Sequence, residues 1–138
     1  MKIQIINGPN INLIGKREPE VYGNTDINQY LAQLAEQYKD IELSVYQSNI
    51  EGELINKIQE VGFDYDGIII NAGAYTHTSI GIHDALKAVT TPAVEVHISN
   101  ITQREEYRHT SMISSACIGT IFGFGLDSYR LAVESLKR

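Results

Sequence analysis

Apolar positions along the chain switch between short strand-like runs and stripes that recur every three or four residues. Residues 2–6 form a β-branched run that ends in Asn7-Gly8-Pro9-Asn10, a strong loop signal. Asp26 is placed to cap a helix whose stripe is Ile27, Tyr30, Leu31, Leu34, Ala35 and Tyr38. Residues 41–46 read as a second strand. Ser48-Asn49-Ile50-Glu51 has capping-box spacing, and Ile50, Leu54, Ile58 and Val61 continue as one helical face. Residues 67–70 are nearly all isoleucine, as expected of a strand covered on both faces. After Asn71-Ala72-Gly73 a helix is predicted over 76–89, with Ile82, Ala85, Leu86 and Val89 inward. Residues 92–98 give a fourth strand and 117–122 a fifth. Residues 123–126 turn into a last helix capped by Asp127 or Ser128.

Five strands alternating with helices predict an α/β fold: a doubly wound five-stranded parallel sheet with helices on both faces, flavodoxin-like in order. Neither a repeat nor a linker divides residues 1–138, so one domain is expected. Sheets of this kind bind ligands beyond the carboxyl ends of their strands, where strand order reverses. The unusual polar residues do follow strands one, three and four.

Composition narrows the chemistry. A net charge of −6 argues against non-specific nucleic-acid binding, which draws on a basic surface. With 43% hydrophobic and 20% charged residues, the chain reads as neither disordered nor membrane-embedded. No basic, apolar and small-residue tripartite segment opens it, so no signal peptide is expected. The single cysteine, Cys117, fits a reducing, cytoplasmic compartment, and its apolar, glycine-flanked surroundings favour a core residue over a nucleophile.

Three clusters carry candidate chemistry. The first follows strand one: about twenty residues precede the helix, against the two to six usual for a βα loop. A binding lid containing Arg17 and Tyr22 and an ordinary surface loop both fit. The second is Asn71-Ala72-Gly73-Ala74-Tyr75-Thr76-His77-Thr78-Ser79, which suits an anion at a helix start or a plain Ser/Thr-rich cap. His83 stands six residues beyond His77, roughly 240° around a helix, so the two do not form one metal site. The third is Glu95-Val96-His97-Ile98-Ser99-Asn100. Glu95 and His97 share one face of a strand, and ionisable groups in an apolar strand are costly unless paired or functional. Arg104 and Arg108, four apart, share a face if helical, suited to a carboxylate. Self-pairing with Glu105 and Glu106 is the bland alternative. The inventory suits proton transfer on a small carboxylated substrate.

In order and spacing, Asn7-Gly8-Pro9-Asn10, Arg17-Glu18-Pro19 with Tyr22-Gly23, Gln47-Ser48-Asn49, Asn71-Ala72-Gly73 with Thr76-His77-Thr78-Ser79, Glu95-Val96-His97-Ile98-Ser99-Asn100, and Arg104-Glu105-Glu106 with Arg108 resemble the type II 3-dehydroquinate dehydratases over essentially the whole length. The resemblance implies a flavodoxin-like fold, a dodecamer built as a tetramer of trimers, and cofactor-free dehydration of 3-dehydroquinate in the shikimate pathway. It gives Tyr22 the role of base, Arg17 that of lid and transition-state residue, and Asn10 that of enolate holder. His97 becomes the acid, oriented by Glu95. Asn71, His77, Ile98, Ser99 and Arg108 match substrate-binding positions, and Asp84 matches one that reaches the site from a neighbouring subunit. Arg104 receives a supporting role toward the lid or Tyr22. Two departures stand out: Gly73-Ala74 where the family often has two glycines, and Ala88 where some members are acidic. The alternative from another class is a flavodoxin-like module that binds a small anion without catalysis. No membrane or nucleic-acid partner is expected.

Overall fold

The structure, a computed structural model, describes residues 1–16 and 26–137. The apolar runs become β1 (Lys2–Asn7), β2 (Glu42–Gln47), β3 (Gly67–Asn71), β4 (Ala93–His97) and β5 (Gly119–Phe122). The periodic stripes become α1 (Ile27–Gln37), α2 (Glu51–Val61), α3 (Ile80–Ala88) and α4 (Asp127–Leu136). All strand pairs are parallel, in the order β2-β1-β3-β4-β5. This is the flavodoxin-like order, and it reverses between β1 and β3.

Strand alternation divides the core into two layers. Ile3 and Ile5 of β1, Ile69 of β3 and Val94 and Val96 of β4 pack under α1 and α4 with Leu31, Tyr129 and Val133. Ile6, Ile68, Ile70 and Ala93 point the other way, against Leu54 and Ile58 of α2 and Ile82 and Leu86 of α3. The isoleucines of β3 are wholly buried, which explains why that strand carries no polar alternation. Glu95 and His97 have the parity of Ala93, so they project from the α2/α3 side of β4.

Several helix starts differ from the sequence reading. Residues 73–77 form a 3₁₀ turn, and α3 begins only at Ile80, where the Ser79 hydroxyl accepts from the Ile82 amide at 2.9 Å. Serine at that position ends the turn and starts the helix, so Thr76 and His77 stay outside the α-helix. Ser48 does not pair with Glu51. Its hydroxyl accepts from the Ile50 amide at 3.0 Å and donates to Glu53 at 2.5 Å, while Glu51 takes the Ser79 hydroxyl. Neither Asp127 nor Ser128 caps α4: Leu126 holds the cap position without a side-chain bond, Asp127 clamps Arg130 at 2.7 and 2.9 Å, and Ser128 accepts from the Phe124 amide. Among the described residues, no helix is long and apolar enough to cross a membrane.

Candidate active site

The exit of β1 is built by close backbone approach. A Cβ on Gly8 would lie 2.3 Å from the Ala72 carbonyl oxygen, so only glycine lets the Gly8 amide donate to the Asn71 carbonyl at 2.7 Å. Asn10 then takes a left-handed conformation (φ 67°), which asparagine adopts more readily than most residues. Its amide donates to Asn49 Oδ1 at 3.0 Å, and the Gln47 side chain donates to the Gly8 carbonyl at 3.1 Å. The Gln47-Ser48-Asn49 segment thus buttresses the loop that carries Asn10 from the end of β2.

At the end of β3, Gly73 occupies φ 61°, while Ala74 needs no left-handed backbone. The Gly73-Ala74 departure is therefore conformationally neutral. Asn71 is buried: its Oδ1 accepts from the Gly73 amide at 3.3 Å, and its Nδ2 donates to the Tyr129 hydroxyl at 3.0 Å. Tyr129 in turn donates to Asn7 Oδ1 at 2.7 Å. Burial pushes the Tyr129 phenol up, against the smaller opposing pull of the two asparagines, so it remains a donor at neutral pH. The neighbouring ends of β1 and β3 (Asn7 pairs in register with Asn71) are pinned by one hydroxyl from α4. Tyr129→Phe leaves both asparagines short of a buried partner and is expected to cost about 1–3 kcal/mol. Urea unfolding would show a lower midpoint at unchanged slope.

His97, at the end of β4, turns Nε2 onto the wholly buried carboxylate of Glu95. Burial alone would raise the Glu95 pKa; hydrogen bonding and charge from His97, with hydroxyls of Ser111 and Ser114, overcome this and hold it below the ordinary carboxylate value. Glu95 is thus an anion behind His97. The His77 ring stacks on His97 with centroids 6.2 Å apart. Its Nδ1 donates to the Thr110 carbonyl at 2.9 Å, and burial, the leading cause, lowers its pKa with help from His97 and Arg108. His77 is therefore neutral at pH 7, with Nε2 left as a lone pair.

Arg104 and Arg108 do not share a helical turn. The backbone is extended at Arg104 and Glu105, between short 3₁₀ turns at Ile101–Gln103 and Glu106–Arg108. The break brings both arginines into the lining of one cavity. Arg108 meets Glu105 at 2.9 Å, and Arg104 approaches the same carboxylate at 3.8 Å. Tyr107, the Glu105 amide and Arg108 hold the Glu105 carboxyl down to about 2.

The cavity measures about 140 Å³, below the roughly 300–1,000 Å³ of drug-sized sites. Asn10, Asn71, His77, His97, Ile98, Ser99 and Arg108 all line it. Glu95 stands behind the wall, reaching the cavity only through His97. Asp84 is not in this lining; it lies exposed on α3 beside His83. Arg17 and Tyr22 lie outside the described residues. Cys117 is a packing residue: burial, then the charge of Glu95, pushes its thiol up to about 12. Sequence reasoning passed over Ser111, Thr120 and Tyr129, which do not line the cavity but hold Glu95 and Asn71. The spacing of Ser111 and Ser114, a common local turn in which a hydroxyl accepts backbone amides, is the one sequence signal that could have found the first.

The family profile described as Dehydroquinase class II matches residues 1–137. A Clostridium perfringens protein named 3-dehydroquinate dehydratase is 57% identical across 99% of this chain and 97% of its own. One of the same name from Exiguobacterium is 53% identical across 99% and 94%. The crystal structure of a type II dehydroquinase from Butyrivibrio crossotus superposes with a TM-score of 0.94 at 49% identity, covering 100% of this chain and 98% of that one. Another, from Propionibacterium acnes, gives 0.91 at 38% identity, covering 98% and 94%. Sheet order, the paired carboxylate and histidine at the end of β4, and these matches across nearly every residue place the chain in the class II dehydroquinase family.

Proposed function

We propose that the chain dehydrates 3-dehydroquinate to 3-dehydroshikimate and water in the shikimate pathway, using side-chain acid–base chemistry alone. The observation that carries this reading is His97, backed by the buried Glu95, in a cavity wall that also holds Asn10, Asn71, His77 and Arg108. Elimination needs a base on one side of the reacting bond and an acid on the other. Tyr22, as phenolate, takes the proton beside the ketone, and the electrons pass into an enolate held by Asn10. Arg17 stabilises that charge and completes the lid. As the enolate collapses, the carbon–oxygen bond breaks and His97 protonates the departing hydroxyl. The phenol proton then returns to His97, so one proton and one hydroxide leave as water.

Arg108, Ser99 and the Ile98 backbone suit the substrate carboxylate and its neighbours, while Asn71 and His77 suit its hydroxyls. A negative substrate competes with Glu105 for Arg108, an exchange of one carboxylate for another. Asp84 serves the site of an adjacent copy, in a dodecamer arranged as a tetramer of trimers. Residues 1–138 act as one catalytic domain in the cytoplasm.

Purified protein mixed with 3-dehydroquinate is expected to raise ultraviolet absorbance as the conjugated product forms. A flat trace from assembled protein that binds the substrate would leave a small-anion-binding module and sink the enzyme reading.

A further inference from the structure

Glu95 is wholly buried, and His97 uses only one of its oxygens. The other, Oε1, receives the Ser111 hydroxyl at 3.0 Å and the Thr120 hydroxyl at 3.3 Å. Neither donor is incidental. The Ser111 oxygen already accepts the amides of Ile113 at 3.2 Å and Ser114 at 3.0 Å, so its lone pairs are occupied and its single proton is directed to Glu95. Thr120 is the register partner of Glu95 across the β4–β5 pair, and its hydroxyl lies 3.0 Å from that of Ser114. Ser114 thus belongs to the same hydroxyl cluster and also favours the Glu95 anion. Two hydroxyl donors, Ser111 and Thr120, end on one carboxylate oxygen. The Met112 amide, donating to the Thr76 carbonyl at 2.8 Å, ties the Ser111 turn to the segment bearing His77.

This wiring has a chemical consequence. While Nε2–H of His97 stays on Glu95, a proton can leave from Nδ1 only if the ring is an imidazolium. The imidazolium needs an ionised Glu95 beside it, which desolvation opposes and hydroxyl donors favour. We infer that Ser111 and Thr120 are positioning residues for the dehydration, acting through Glu95 to orient His97 for proton donation. The inference rests on the reading of His97 as the acid. Among the described residues, the Glu95 charge also acts on His77, in the turn after β3, and Cys117, before β5. Neither gives Oε1 a proton: the first is bonded to Thr110, and Ser111 and Thr120 already occupy that oxygen.

Ser111→Ala, Ser111→Thr and Thr120→Val test this in the assembled enzyme. Ser111→Ala and Thr120→Val are each expected to lower kcat about tenfold with KM within about twofold, since a hydrogen bond to a charged group is lost away from the substrate. Because the lost donors favour the ionised form, Glu95 takes up its proton at higher pH, and the acid limb of the kcat profile moves upward. Ser111→Thr, which keeps the hydroxyl, returns that limb toward the wild-type position. Thr120→Val conserves shape and reports independently if Ser111→Ala folds poorly. An unmoved acid limb and unchanged kcat in folded Ser111→Ala or Thr120→Val would overturn the inference while an inactive His97→Ala left the acid reading standing. Full turnover in His97→Ala would remove the acid reading and this inference with it.

Discussion

Tyr22→Phe is expected to lower kcat by at least about 10²–10⁴-fold while 3-dehydroquinate still binds. The reaction begins with loss of a proton from carbon, and a base must receive it. Among the described residues that line the cavity there is no carboxylate and no phenol. A free tyrosine titrates near 10, so it serves as a base only where a cation favours the phenolate. Arg17, five residues earlier in the sequence, supplies such a cation in the proposed mechanism. Phenylalanine keeps the ring and removes only the oxygen. The described contacts suited to the substrate, from Asn71, His77, Ser99 and Arg108, are untouched. Titration calorimetry should therefore find an affinity within a few-fold of wild type beside a collapsed kcat. Near-normal turnover would pass the role to His77, the neutral imidazole that lines the same cavity.

The parts of this arrangement that were legible in sequence are those that local pattern determines. The β-branched runs at β1 and β3 mark strands because both faces are covered there, and the three-four stripes mark helices because one face is. The rule that ligands sit beyond strand ends then selects Asn10, Asn71 and His97 without coordinates. Helix starts were less legible because several hydroxyls and carboxylates compete for the same orphan amides. Ser48 has both Glu51 and Glu53 within reach, and packing of α2 against α3 gives Glu51 to Ser79 instead. The Arg104–Arg108 spacing puts the two on one face only in a helix, yet non-helical backbone at Glu105 brings both residues to the cavity by another route. The partners that Ser111, Thr120 and Tyr129 hold were beyond reach for a different reason. They lie 16, 25 and 58 residues away along the chain, and only strand register and helix packing bring each pair together. Nothing in local sequence encodes such a distance.

His97→Ala should likewise remove about 10²–10⁴-fold from kcat, but with a second signature that the loss of a base lacks. Glu95, wholly buried behind the ring, then loses its ion-pair partner and keeps the hydroxyls of Ser111 and Thr120. Breaking a buried ion pair from one side typically costs about 3–5 kcal/mol, so the variant should unfold at markedly lower urea. Stability and rate are then separable. Adding Glu95→Gln removes the stranded charge while keeping a group that can accept from Ser111, and most of the lost stability should return. The rate should not return, because no proton donor has been restored. Imidazole added to His97→Ala should recover part of the turnover, since the emptied ring position opens on the cavity. Full activity in the single variant would remove His97 from the chemistry. A double variant that regained rate along with stability would show that the single variant's defect was one of folding, leaving the Glu95–His97 pair a structural feature of β4.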